Sequence, residues 1–145
     1  MNTLSKDETV YRTCRLVVQH IRNHVETGHG GIHSRLFSHI LHPERDFVGA
    51  GQSPEVLAGS DPYPEHVVPC AVLIQETRRL LIENRLADED IARLLQKHWK
   101  IALITKEQAK HIDFKLGYRS TMPPGWCFET GDTFARLSKA GITLL

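Results

Sequence analysis

Cysteine is scarce in this chain, aromatic residues are few, and neither sign of charge dominates. Three cysteines, Cys14, Cys70 and Cys127, stand far apart with no Cys-x-x-Cys pair among them. That pattern supports neither a disulfide framework nor a thiolate zinc knuckle. The thiols have no basic partner evident in the sequence, so they are expected to act as buried small hydrophobes. No stretch approaches the roughly 18 uninterrupted apolar residues of a membrane span. The N-terminal residues lack a basic region followed by an apolar core, so no signal peptide is expected, and the expected location is cytoplasmic. No serine sits in a Gly-x-Ser-x-Gly elbow, which leaves that class of hydrolase unsupported. Eighteen Lys and Arg against 17 Asp and Glu give a net charge of +1. A basic footprint over the whole chain, as for general nucleic-acid binding, is therefore missing.

What remains is the composition of a globular protein: 41% hydrophobic and 24% charged over 145 residues, enough for one domain spanning 1–145. The outlier is histidine, with nine residues, six of them between His20 and His42. His20 and His24 share a helix face, but no third ligand is evident. Charge is also unevenly placed. Residues 93–119 carry seven basic side chains, from Arg93 to Arg119, against only Glu107 and Asp113.

The elements follow from spacing. Ser5 with Glu8 signals a helix start, and Val10, Cys14, Val17, Ile21 and Val25 recur as one apolar stripe as far as Gly28. A glycine-rich turn leads into a short helix over Ile32 to Leu41, ended by Pro43. Residues 43–64, rich in glycine and proline, read as an irregular loop. Val67 and Val68, between prolines, allow only a short edge strand. Helices are expected from Cys70 to about Arg85 and from Asp88 onward, then a strand over Ile101 to Ile104. Thr105 and Gln108 form a capping box for a helix reaching about Phe114, and a last helix runs from Asp132 to Gly141. The expected fold is mainly α with a small β element (α+β), helices surrounding a short hairpin-like ββα unit.

Glu65-His66-Val67-Val68-Pro69 resembles the first-strand signature of the HNH, or His-Me finger, nucleases. The resemblance implies a metal-dependent nuclease-like protein, possibly a degenerate one, that hydrolyses nucleic-acid phosphodiesters. His66 would be the general base and Glu65 a ligand of a divalent cation, Mg²⁺, Mn²⁺ or Zn²⁺. A base titrating near neutrality and a Lewis acid suit that chemistry. The best match to the family's following strand and helix is IALITKEQAKHID. There Glu107 and His111, four apart, share a face and complete the expected ligand set. Arg93, Lys97, Lys100, Lys106 and Lys110 would hold the nucleic-acid backbone. Pro69 leads into two helices before the second strand, a long insertion for that unit. Two other readings stay open. One is a non-catalytic regulator or inhibitor that binds a protein or nucleic-acid partner. The other is a phosphate or nucleotide binder using Gly30, Gly31, His33 and Arg35 of the glycine- and histidine-rich turn.

Overall fold

The computed structural model of the chain describes residues 3–145. Helix α1 spans Lys6–Glu26; the Ser5 hydroxyl accepts the Glu8 amide at 3.1 Å and caps it. Its stripe of Val10, Cys14, Val17, Val18 and Ile21 is buried against α5 (Cys70–Glu83) and α6 (Asp88–His98). Leu73, Leu80, Ile91 and Leu95 supply the facing side chains, and Phe37 of the short α2 (Leu36–Ile40) closes the layer with Trp99. Each such aliphatic side chain contributes about 1.5–3 kcal/mol by leaving water. Helix α5 stops at Glu83, short of the expected Arg85, because Asn84 turns left-handed at φ 54. Asparagine tolerates that conformation better than most residues.

The sheet has three strands in the order β1-β3-β2, from β1 (Gly49–Gln52), β2 (Tyr63–His66) and β3 (Ile101–Ile104). β2 runs antiparallel to β3, with His66 opposite Ile101, and β1 runs parallel to β3. Alternation along β3 divides the core. Ile101 joins the main helical cluster, whereas Ala102 and Ile104 join a smaller one with Val67, Ala109, Ile112 and Leu137.

Two expectations need correcting. The stretch 43–64 is not irregular throughout: it holds α3 (Arg45–Val48), β1 and α4 (Pro54–Leu57). β1 reads Gly-Ala-Gly-Gln, a poor strand sequence, held between β3 and the last residue, whose amide reaches Gln52 O at 2.8 Å. At Gly51, φ is 110 and an added Cβ would stand 2.7 Å from Leu145 O, so glycine is required. The second correction concerns β2, which ends at His66 instead of containing Val67 and Val68. Those two valines are wholly buried just beyond it, one in each cluster.

After β3 comes α7 (Lys106–Lys110), opened by the expected Thr105–Gln108 capping box. It runs into a π-helical turn, His111–Lys115, and α8 (Ala135–Lys139) lies near the end of the chain. The mainly α, α+β expectation holds. β2, β3 and α7 form an antiparallel ββα unit in space, although α5 and α6 intervene between its strands. Among the described residues no helix is long and apolar enough to cross a membrane.

Candidate functional site: Glu44, His66 and Cys70 at the start of α5

β2 delivers His66 to the rim of an open cavity of about 820 Å³. Glu44, just before α3, reaches the imidazole from behind. It is 7% exposed, and its Oε2 accepts from His66 Nε2 and from the buried Trp99 Nε1, each at 2.6 Å. A carboxylate taken from water needs such donors to remain ionised. Here two donors converge on one oxygen. They fix the imidazole plane and leave Nδ1 as its free nitrogen.

Cys70 stands four residues beyond His66 and lines the same cavity, half-buried. Burial pushes the His66 pKa down, but the Cys70 and Glu44 interactions outweigh it and hold the pKa up at about 10. The imidazole is thus a cation at neutral pH. Cys70 is also the first residue of the 14-residue α5, which has no side-chain cap and no acid in its first turn. The amides of Cys70 and Ala71 have no hydrogen-bond acceptor among the described residues, and both residues line the cavity. A helix start leaves such donors free by construction, and their partial positive charge favours an anion. A thiol beside an imidazolium and a helix N-terminus is the setting in which cysteine becomes nucleophilic.

Arg136 of α8 organises the opposite wall. Its side chain is 1% exposed. Nη1 donates to the His66 carbonyl at 2.9 Å, and Nε donates to the Tyr118 carbonyl at 2.9 Å. Nη2 meets Glu65 Oε1 at 3.2 Å, with Asp113 Oδ1 at 3.6 Å. Burial raises the Glu65 pKa, and Arg136 opposes that shift. Asp113, on the π-helical turn, lines the cavity with Glu65 and His66. The guanidinium therefore holds the backbone on which His66 stands while neutralising acids beside it.

The expected residues are distributed unevenly around this centre. His66 and Glu65 are in it. Glu107 is exposed on α7, and neither it nor His111 lines the cavity. Among the described residues no group of three His, Cys, Asp or Glu side chains is placed to hold a metal ion. Glu65 faces Arg136 instead, so the donor set of Glu65, Glu107 and His111 does not assemble. Of the basic run, Arg119 lines the cavity, whereas the residues expected to hold a nucleic-acid backbone do not. Arg93 stacks 4.2 Å over Tyr11, Lys97 reaches Gly131 O, and Lys106 and Lys110 point to solvent from α7. Lys100 is half-buried between α6 and β3.

Gly30, Gly31 and His33 line an adjoining cleft of about 490 Å³, which shares Ser34 and Ala71 with the main cavity. The His33 ring there accepts the Arg35 amide at 3.1 Å. Arg35 itself lines the main cavity.

No family model, curated protein or solved structure matches this chain.

Glu44 and Cys70 are the residues that the sequence reading passed over. Cys70, half-buried, and Cys127, exposed, do not fit the expectation of a buried hydrophobe, whereas Cys14 does. His66 and Cys70 four apart, with Pro69 announcing a helix start, were a readable signal. Glu44 offered none, since only folding brings it across 22 residues to His66.

Proposed function

We propose that the protein is a thiol-dependent hydrolase or acyl transferase in which Cys70 is the nucleophile, His66 the proton carrier and Glu44 the residue that orients His66. The observation that carries this reading is the His66 imidazole, bonded to buried Glu44, on the cavity that Cys70 also lines at the uncapped start of α5. Nucleophile, base and orienting acid in that order form the general arrangement for covalent catalysis.

In the reactive form the thiol proton resides on His66 Nδ1. Cys70 Sγ attacks a substrate carbonyl carbon, and the carbonyl oxygen gains the negative charge. The free Cys70 and Ala71 amides face that position and stabilise it. The tetrahedral adduct collapses as Nδ1 gives its proton to the leaving amine or alkoxide, leaving a thioester on Cys70. The neutral imidazole then takes a proton from water, or from an acceptor alcohol or amine, which attacks the thioester and restores the thiol. Glu44 keeps its bond to Nε2 throughout.

A second reading is nuclease-like phosphodiester hydrolysis. It is favoured by the antiparallel β2–β3 pair followed by α7, with His66 and Asp113 on one cavity. In it the deprotonated form of His66, a minor one at neutral pH, takes the proton of an attacking water on Nδ1. Glu107 and His111 lie off the cavity, and this reading assigns them no role.

One set of variants separates the two. The thiol reading expects p-nitrophenyl acetate to give a burst and an acetyl adduct on the Cys70 peptide. Cys70→Ser and His66→Gln abolish both. Undiminished ester turnover in Cys70→Ser removes the proposal. Cleavage of single- or double-stranded DNA or RNA that survives Cys70→Ser and is lost in His66→Gln establishes the second reading in its place.

A further inference from the structure

The cavity around Cys70 holds charges of both signs, and they are disposed differently. Its acids are turned to partners within the wall. Glu65 and Asp113 face Arg136, and Glu44, which stands behind His66 and outside the lining, is bonded to His66 and Trp99. Arg35, just before α2, and Arg119, after the π-helical turn, line the same cavity, and both are exposed. Among the described residues neither forms an ion pair. Arg119 lies 6.0 Å over the Phe114 ring, which limits its wandering without neutralising it. Ser34, Ser38, Tyr63 and Ser120 add neutral hydrogen-bonding groups to the lining. A solvent-facing pair of cations above inward-turned acids attracts an anion to the mouth and repels a cation. The guanidinium fork can also bond two oxygens of a carboxylate or of a phosphate at once.

We infer that the acyl substrate carries an anionic group, a carboxylate or a phosphate, which Arg35 and Arg119 seat while Cys70 attacks its carbonyl carbon. The inference rests on Cys70 being the nucleophile and adds the substrate class. Arg35 and Arg119 are specificity residues in it, since neither contacts Cys70 or His66 in the charge network described above.

The test compares two alkylating reagents of similar size on the whole protein, iodoacetate and iodoacetamide, with the Cys70 peptide followed by mass spectrometry. In each case sulfur displaces iodide and forms one carbon–sulfur bond. The rate ratio of anion to neutral reagent is expected to exceed that of N-acetylcysteine by about tenfold, the lower end of electrostatic focusing in a charged cleft. Arg35→Gln with Arg119→Gln is expected to return it to the N-acetylcysteine value. High salt is expected to shrink the preference in the unmodified protein, which needs no variant to fold. Succinate and inorganic phosphate, added separately as protectants at equal ionic strength, tell a carboxylate preference from a phosphate one, and protection by either supports the inference. A ratio equal to that of N-acetylcysteine, with Cys70 still faster than a free thiol, overturns the substrate class alone. A Cys70 that reacts with neither reagent overturns the nucleophile and, with it, this inference.

Discussion

Cys14 and Cys70 are the same residue in opposite surroundings. Cys14 lies on the inner face of α1 with no exposure, among Val10, Val17 and the side chains of α5 and α6. Burial pushes its thiol up to about 12, with Lys100 only partly offsetting the effect. Cys70 lies at the first turn of α5 on a cavity that it shares with the His66 imidazole, which stays protonated at neutral pH. Both follow from helix position. Mid-helix on an apolar stripe, the sulfur is a packing atom with no free amides nearby. At the first helical residue, the backbone turns unpaired N–H groups outward beside it. The chemistry of a cysteine is thus decided by where along a helix it falls.

The largest expected difference between the two is in reactivity. In the folded protein, iodoacetamide should modify Cys70 at least about a thousandfold faster than Cys14, which reacts only when the domain opens against some 5 kcal/mol or more. In denaturant the two rates should converge. Peptide mapping over time reads both, and a folded protein that loses Cys14 as fast as Cys70 breaks the contrast.

A smaller effect runs the other way in stability. Cys14→Ser places a hydroxyl in an apolar cluster and should cost about 1–3 kcal/mol unless it finds an acceptor. Cys70→Ser, at a half-open position, should stay within about 0.5 kcal/mol. Urea unfolding midpoints measure this, and a Cys70→Ser loss as large as that of Cys14→Ser would make Cys70 a structural residue.

A third effect, similar in size to the second, is a dependence on pH that separates the two sites. His66 is held at about 10 against an ordinary 6.5, so the folded state binds its proton more tightly than the unfolded chain. Its contribution to stability is complete below pH 6.5 and is lost as pH rises through about 10. Cys14, raised from 9.0 to about 12, gives a contribution that begins to fall only above pH 9.0. Stability between pH 7 and 9 should therefore decline in the unmodified protein and flatten in His66→Gln. A decline that persists in His66→Gln assigns it to another group.

Much of this frame is legible in the residues. The α1 stripe, the α5 and α6 helices, the β3 strand and the Thr105 capping box are local patterns, and local patterns survive folding. His66 was also within reach, through its resemblance-bearing neighbours. What escaped depends on contacts between distant residues. β1 exists because β3 and the chain end flank it, not because Gly-Ala-Gly-Gln favours a strand. Glu44 became the histidine's partner only when Trp99 and β2 closed over it. Arg136 is almost wholly buried, and no local pattern around it announces that. The six-histidine cluster shows the reverse. His20 and His24 pack edge to face at 4.6 Å, and no described third ligand joins them.

Arg136 also imposes an order in time. Its bonds to the His66 and Tyr118 carbonyls come from α8, 70 residues after the strand end they hold. During synthesis β2 and Cys70 leave the ribosome long before that guanidinium does. Until it arrives, the backbone under His66 lacks its anchor, and the Glu65 carboxylate lacks its counter-charge. The seat of His66 is therefore completed only after α8 has been made and has folded back on β2.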